Sequence, residues 1–436
     1  MVQKEKVISC LRRLLMLLVA LCSSVILGYM LLVFVYCIPT NRMEMNLRKS
    51  AAIFVEEGTY PQKINNYIDS RLDNWTDSLM LLTAVREGGE PAYISAALNS
   101  RNLISEKNPC ESLIQIYAER NTDNLKTVKY GRYWHGYLVF LKPLLLFFDY
   151  SEIRYINMFV QIMLFALAAV LLGKKGRGIY ILPLVLSWLF LNPLSTMLSI
   201  QFSIIALIVF IQMIVMLKFE DEYCEKPFLL VVNFFALGCI VNYFDLLTYP
   251  LVALGIPLAY WLNACVLKKM ENVIRIVWDV AKYCIAWVCG YGGMWIGKWL
   301  LGSIVTGENI LSDAINQVAV RTDNAVAQDE FSFTELMGRL FYASNELVIW
   351  FAAACIVFLA IYGIVKKKIK ISLNRIVVCV IIGTMPFVWY AVLGNHSWIH
   401  FWFAYRELVI FINALLMMTV GLIQNSTERM GEREKI

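Results

Sequence analysis

Two aspartates, Asp73 and Asp77, are spaced four positions apart and are followed at once by the apolar run 79–82. Residues i and i+4 lie on one face of a helix, so both carboxylates would project from the same side. A positioned carboxylate can accept the proton of a hydroxyl group as that group attacks an electrophilic carbon. The pair is therefore a candidate for catalysis, although a solvated helix face or a turn cap would show the same pattern.

The chain contains only three histidines, and His396 and His400 repeat the four-residue spacing. Such a pair could hold a metal, but the glutamate of a zinc-hydrolase helix is missing and no third ligand is evident. Hydrogen bonding at the level of lipid headgroups is favoured, and a divalent metal requirement is left open. The aromatic run 401–405 connects His400 to Arg406, which suits an anchor at the membrane surface or a clamp on a lipid phosphate.

The composition excludes a soluble globular protein. Hydrophobic residues make up 59% of the 436-residue chain and charged residues only 17%, and the mean hydropathy is +0.61. These values predict an all-α polytopic membrane protein. The net charge of +6 reflects topology, because Lys and Arg collect on the cytoplasmic side of membrane proteins. No nucleotide-binding loop or nucleic-acid patch is present, so neither a nucleotide-sugar donor nor a nucleic-acid partner is expected.

Hydropathy predicts a single membrane domain, 1–436, with ten spans and both termini in the cytoplasm. This orientation places basic clusters at 174–177, 218–226, 268–269 and 366–370, and the tail 425–436, inside the cell. The predicted spans are 14–36 and 155–173, then 179–196, 200–217, 228–246, 249–267 and 276–300 within the block 155–300, and finally 346–365, 373–394 and 403–424 within the block 346–424.

Two segments are predicted to lie outside the cytoplasm. The first, 38–132, contains short helical patterns near 45–57, 71–85, 90–99 and 110–120. The following stretch, 133–148, is apolar but short and interrupted by Lys-Pro, so we expect an interfacial helix. If it crossed the membrane, the basic clusters that follow would move outside. The second segment, 301–345, would contribute to acceptor binding or serve as an ordinary connection.

The candidate functional residues collect at the predicted outer boundary. Asp245, at the outer end of a span, is a site candidate because acids in membranes are costly, but a pairing with a neighbouring arginine is an alternative. Cys37 and Cys110 could form a disulfide on this side. The full set of candidates is Asp73, Asp77, Arg132, His135, Arg154, Asp245, His396, His400 and Arg406.

This layout resembles the GT-C superfamily of polytopic membrane glycosyltransferases, which includes protein O-mannosyltransferases and aminoarabinose transferases. The similarity covers roughly residues 10–265: the acids Asp73 and Asp77 in a long outer loop, an aromatic motif at 133–137, and the Glu-x-Arg sequence of 152–154. Trp-His-Gly stands where the family usually has Pro-Pro, and the two acids are not adjacent. Which acid is catalytic is therefore open.

The resemblance implies an enzyme of the plasma membrane with an extracytoplasmic active site. It would transfer a sugar from a polyprenyl-phosphate-linked donor to a glycan, lipid or protein acceptor, with inversion of configuration. Membrane lipids would be further partners. Asp73 or Asp77 would act as the base, and Arg132, His135 and Arg406 would bind the phosphate. The alternatives are a flippase or transporter of a lipid-linked saccharide, a polysaccharide polymerase or ligase, and a non-catalytic assembly subunit.

Overall fold

The structure is a computed structural model. It describes residues 2–86, 89–267, 272–326, 329–365 and 372–433, with side chains described between residues 4 and 423. The predicted cytoplasmic clusters at 268–269 and 366–370 lie outside the described residues. So do residues 434–436 of the predicted tail and the side chains of Arg429 and Arg433.

The described chain is mostly helical, with two small antiparallel sheets of two strands each. Strand β1 (Arg101–Ile104) pairs with β2 (Leu125–Val128), and β3 (Ala325–Val326) pairs with β4 (Asp329–Glu330). The α-helices are α1 (Val2–Tyr36), α2 (Asn41–Glu57), α3 (Asn74–Val85), α4 (Ala92–Leu98), α5 (Pro109–Leu113), α6 (Leu138–Leu145), α7 (Tyr150–Lys174), α8 (Ile181–Phe190), α9 (Pro193–Leu198), α10 (Ile200–Lys218), α11 (Glu220–Glu225), α12 (Pro227–Phe244), α13 (Val252–Trp261), α14 (Val273–Thr306), α15 (Ile310–Thr322), α16 (Phe333–Ala343), α17 (Glu346–Val365), α18 (Leu373–Val392), α19 (Gly394–Ile399), α20 (Phe401–Ala404) and α21 (Val409–Arg433).

Among the described residues, seven helical segments are long and apolar enough to cross a membrane. They are α1 from Lys4, α7, α10, α12, α17, α18, and the segment Phe401–Ile423 that runs from α20 into α21. The prediction of an all-α, multi-pass membrane protein is confirmed at this level.

The count of ten spans stays a prediction. Two of the three remaining spans correspond to shorter apolar helices, Gly178–Phe190 and Val252–Val266. The third, 276–300, lies inside α14, whose 34 residues would reach about 50 Å at 1.5 Å per residue. Its glycines, tryptophans and Lys298 lower its mean hydropathy below that of the seven helices named above. It is therefore long enough to span a membrane but less apolar than those helices.

Helices differ in how much of their surface is covered by protein. In α10 and in Phe401–Ile423 the most apolar window is 67% and 78% buried, but in α1, α7 and α17 it is at most 17% buried. Apolar side chains that protein does not cover must face lipid in a membrane protein. The first group therefore forms the centre of the bundle and the second its periphery.

Helices α12 and α14 pack closely through two glycines that oppose each other. A Cβ atom at Gly238 would overlap the carbonyl of Trp287, and one at Gly290 would overlap the carbonyl of Phe235. Small residues allow membrane helices to approach in this way. The contact holds α12 and α14 in a defined relation to each other.

The two segments predicted to lie outside the cytoplasm contain regular secondary structure. Helix α14 continues past the predicted boundary at 300 to Thr306, and the segment predicted as a loop at 301–345 contains α15, a hairpin and α16. Within 133–148, the helix is limited to Leu138–Leu145. Eight residues rise about 12 Å, less than half of the hydrocarbon thickness, which is compatible with the predicted interfacial position.

Candidate functional site

Asp77 is buried and joins two helices. It lies in the first turn of α3, and its carboxylate accepts hydrogen bonds from the backbone N–H groups of Ile200 at 3.0 Å and Gln201 at 2.9 Å. It also accepts a short hydrogen bond from the Tyr150 hydroxyl. Ser199 provides no side-chain cap for α10, so Asp77 caps that helix from a distance. Burial raises its pKa, against the effect of these hydrogen bonds.

Asp73 is the N-cap of α3. Its carboxylate accepts the backbone N–H of Thr76 at 3.0 Å and the Thr76 hydroxyl at 2.7 Å. The side chain is only 2% exposed, and burial raises its pKa to about 7, although the hydrogen bonds from Thr76 oppose the shift. A carboxylate whose pKa lies near neutrality suits a general base, so Asp73 combines a structural position with a suitable acidity.

A third aspartate, Asp69, extends the spacing to three acids at four-residue intervals and was missed in the sequence. It is 1% exposed. Its Oδ2 accepts the side-chain amides of Asn192 and Asn345, both at 2.8 Å. The four-residue repeat upstream of Asp73 was the available signal. Its two partners could not have been inferred, because they are far away in the sequence.

Arg406 lies at the centre of this acidic region. Its guanidinium donates to the backbone carbonyl of Leu191 at 3.0 Å, to that of Asp69 at 3.3 Å and to the Ser195 hydroxyl at 2.6 Å. The group is fully buried, and Nη1 is left without a hydrogen-bond partner in the part of the chain that the structure describes. Its charge is close enough to lower the pKa of Asp73 in part. An unpartnered buried donor of this kind is costly.

Glu407 follows Arg406 and is also fully buried. Its Oε1 accepts the backbone N–H of Leu251 at 3.2 Å, while Oε2 has no partner among the described residues. Glu407 was missed in the sequence, although its position next to Arg406 in an apolar segment was a visible signal.

Arg154 is engaged in an ion pair. Its two terminal nitrogens each contact an oxygen of Glu57 at 2.9 Å, and Nη2 also donates to Asn74 Oδ1 at 3.0 Å. Burial alone would raise the pKa of Glu57, but the contacts with Arg154 outweigh it and lower that pKa to about 2. The pair ties α2 to α7, and in this state Arg154 is occupied by a carboxylate, not a phosphate.

His135 lies in a separate, cationic surrounding. Its Nδ1 is 2.7 Å from the Tyr137 hydroxyl, and its buried Nε2 has no partner within the described residues. Burial, together with the charges of Arg101 and Lys298, lowers its pKa well below the usual value. Within the described residues no hydrogen bond joins His135 to Asp73 or Arg406, so the structure does not bring these three candidates into one cluster.

His396 and His400 converge as their spacing predicts, but on an arginine. Nη1 of Arg321 donates to His396 Nδ1 at 3.0 Å and to His400 Nε2 at 3.1 Å. Both ring nitrogens must therefore be unprotonated. Burial and the charge of Arg321 lower the pKa of His400 to about 3. No group of three His, Cys, Asp or Glu side chains suited to a metal occurs among the described residues.

A cavity of about 270 Å³ opens beside this cluster, between α14, α15 and α18; we call it the arginine cavity. Arg132 and Arg321 contribute its cations, and Arg132 also contacts Asp313 at 3.0 Å. Leu247, two residues after Asp245, forms part of the wall. Its other lining residues are Tyr133, Tyr291, Trp295, Trp299, Ala314, Gln317, Val318, Thr322, Trp389, Val392 and Leu393.

Asp245 is held locally. Its carboxylate accepts the backbone N–H of Thr248 at 2.9 Å and a short hydrogen bond from the Thr248 hydroxyl. This repeats the arrangement of Asp73 and Thr76. Asp245 lies within electrostatic range of Tyr133, which lines the arginine cavity. Neither an arginine nor a lysine is hydrogen-bonded to Asp245 within the described residues. The alternative prediction, that Asp245 pairs with a neighbouring arginine, is therefore wrong for the described part of the chain.

Cys37 and Cys110, the cysteines considered for a bridge, are not bonded to each other. Cys37 is exposed, and Cys110 is buried. A buried thiol in apolar surroundings behaves as a small hydrophobic side chain.

The chain matches no protein-family model, and neither a curated protein nor a solved structure is significantly similar to it.

Proposed function

We propose that this multi-pass membrane protein is a glycosyltransferase. It would transfer a sugar from a polyprenyl-phosphate-linked donor to an acceptor outside the cytoplasm. The observation that carries the proposal is the arginine cavity, in which Arg321, held by two neutral histidines, and Arg132, paired with Asp313, adjoin a wall of tryptophan and aliphatic side chains.

The composition of this cavity suits a lipid phosphate. Guanidinium groups bind phosphate oxygens by charge-assisted hydrogen bonds, and Trp295, Trp299 and Trp389 offer apolar surface to an isoprenoid chain. Nη1 of Arg321 is held by two neutral histidines. Because those histidines carry no negative charge, they do not neutralise the positive charge of Arg321.

The reaction would be a single displacement at the anomeric carbon. An acceptor hydroxyl oxygen forms the new glycosidic bond as the bond between that carbon and the phosphate oxygen breaks. The electron pair of the broken bond leaves with the phosphate on its lipid carrier, where the arginines stabilise the charge. The hydroxyl proton passes to a carboxylate.

Asp73 and Asp245 are the carboxylates best suited to that role. Each is buried and held by a threonine three residues later. Asp73 has the favourable acidity, with a pKa raised by burial to about 7, and Asp245 lies nearer to the wall of the arginine cavity. Asp77 is instead occupied by the start of α10.

The test is sugar transfer by the purified protein in nanodiscs, with a panel of polyprenyl-phosphate-linked monosaccharides as donors. We expect turnover with at least one donor. Arg321→Gln should raise KM for that donor by about 10- to 150-fold, since a charge-assisted hydrogen bond contributes about 1.5–3 kcal/mol. Asp73→Asn or Asp245→Asn should reduce kcat by at least about 100-fold if that residue is the base.

Arg120→Gln is the matched control, because Arg120 is exposed in the same outer region and does not line the cavity. It should leave KM unchanged. The absence of turnover with every donor would contradict the proposal, and movement of the carrier lipid across the bilayer in its place would favour the transporter alternative.

A further inference from the structure

A second cavity, of about 440 Å³, lies between the segment 65–69 and the junction of α16 and α17. We call it the acidic cavity. Its size falls within the range of small-ligand sites. The lining side chains that matter here are Asn65, Asn66, Asp69, Tyr342, Glu346 and Trp350.

The orientation of Asp69 is fixed from two directions. Asn192 is the N-cap of α9, and it uses Oδ1 for the cap and Nδ2 for Asp69. Asn345 does the same before α17, where its Oδ1 accepts the backbone N–H of Val348 at 3.1 Å. Both amides bind Oδ2, and no donor in the described part of the chain is bound to Oδ1. One carboxylate oxygen of this buried side chain, on the wall of the cavity, is thus left without a donor among the described residues.

The charges of the lining select against anions. Asp69 and Glu346 are both acids, and neither a lysine nor an arginine is among the lining residues. This is the reverse of the arginine cavity, which has two cations. A phosphate or an anionic lipid headgroup would be repelled here, whereas a neutral ligand with many hydroxyl donors would find carboxylate and amide acceptors.

Two aromatic rings complete the site. Trp350 is 72% exposed and Tyr342 is 70% exposed, and both line the cavity beside the first turns of α17, at the end of a membrane-spanning helix, where aromatic side chains lie at the headgroup level. The C–H faces of a sugar ring can pack on such rings while its hydroxyl groups reach Asn66 and Asp69. Aromatic surface beside a few fixed polar groups is the usual composition of a specific small-molecule site.

From this arrangement we infer that the acidic cavity binds a neutral saccharide, with Asp69 Oδ1 accepting a sugar hydroxyl and Trp350 packing against the ring. The inference rests on the proposed function insofar as this saccharide would be part of the acceptor. The backbone carbonyl of Asp69 contacts Arg406, whose charge acts on Asp73. Asp69, which lines the cavity, is therefore linked through Arg406 to one of the two proposed bases.

Saturation-transfer NMR on the full-length protein in nanodiscs tests the inference without any donor. The probes are the tetrasaccharides cellotetraose, maltotetraose, chitotetraose and mannotetraose. We expect saturation transfer to at least one of them. Trp350→Ala should weaken its binding about five- to tenfold, as loss of an aromatic contact does. Asn66→Gly should also weaken it, and since Asn66 has φ of 68°, glycine retains the backbone there.

Phe351→Ala is the matched control. Phe351 is the next residue along α17, is 57% exposed and does not line the cavity, so this variant should bind as the wild type does. Saturation transfer to none of the four probes, or equal transfer in all three variants, would overturn the inference.

The two proposals can fail separately. Binding that depends on Trp350 without any sugar transfer would retain the saccharide site and refute the transferase. Sugar transfer at the wild-type rate in Trp350→Ala and Asn66→Gly, without saccharide binding by the wild type, would retain the transferase and refute the site.

Discussion

The carboxylate of Asp77 accepts the backbone N–H of Gln201 at 2.9 Å, although 124 positions separate the two residues. Together with the contact to Ile200, this bond gives α10 the cap that its own Ser199 does not provide. An anionic oxygen at the positive end of a helix is favourable. Asp77 therefore links α3 to α10, a central helix of the bundle.

We predict that Asp77→Asn lowers the free energy of unfolding by about 1–3 kcal/mol, because an amide nitrogen would face a backbone N–H that needs an acceptor. Thermal unfolding in detergent, followed by tryptophan fluorescence, measures the change. Asp123→Asn is the control, since Asp123 is exposed. Equal melting temperatures for both variants would show that Asp77 is not a cap.

The ion pair between Glu57 and Arg154 should be sensitive to loss of either partner. Their side chains are 12% and 8% exposed, and removal of one member of such a buried pair costs about 3–5 kcal/mol. We expect Glu57→Gln and Arg154→Met to destabilise strongly, and the double variant to be less affected than the sum of the two. Additive effects in this cycle would mean that the pair contributes no coupling.

Acid should destabilise the protein through Glu57. Its pKa in the folded protein is lowered to about 2, the dominant favourable contacts coming from Arg154 and overcoming burial. The unfolded chain binds this proton first as the pH falls below about 4.3, so the stability is present above that value and is lost toward pH 2. The free energy of unfolding, measured from pH 5 to pH 2, should decrease less steeply in Glu57→Gln than in the wild type.

The contact of Arg321 with His400 predicts a second acid effect at higher pH. Burial and the Arg321 charge lower the pKa of His400 to about 3, from about 6.5 in the unfolded chain. Between these values the unfolded chain binds the proton and the folded protein does not, so stability decreases as the pH falls. His400→Gln should reduce this slope between pH 6.5 and 4. An unchanged slope would contradict a neutral His400 beside Arg321.

The close approach of α12 and α14 predicts opposite results at two neighbouring glycines. Gly290→Ala should destabilise by about 1–3 kcal/mol, because the added methyl group overlaps the Phe235 carbonyl and overpacking has this cost. Gly292 has open space around its Cα, so Gly292→Ala should be stabilising by up to about 1 kcal/mol. The melting temperatures of the two variants test this prediction. A decrease in Gly292→Ala equal to that in Gly290→Ala would refute the close packing of α12 and α14 at Gly290.

The class of the protein follows from its sequence. Hydropathy alone predicts a helical multi-pass membrane protein, and the short outer patterns at 45–57 and 71–85 correspond to α2 and α3. These features depend on local periodicity and composition, which neighbouring residues determine. The spacing of His396 and His400 likewise predicts correctly that the two rings share one face, since that follows from the helix repeat.

The roles of the acids depend on tertiary structure. Asp73 and Asp77 are only four positions apart, yet Asp73 caps its own helix and Asp77 caps α10. Asp69 obtains its fixed orientation from Asn192 and Asn345, which are 123 and 276 positions away. Helix packing determines which residue becomes the partner of a hydrogen bond over such a distance in sequence. Burial raises the pKa of Asp73 to about 7, and burial is a property of the packed bundle, not of the local sequence.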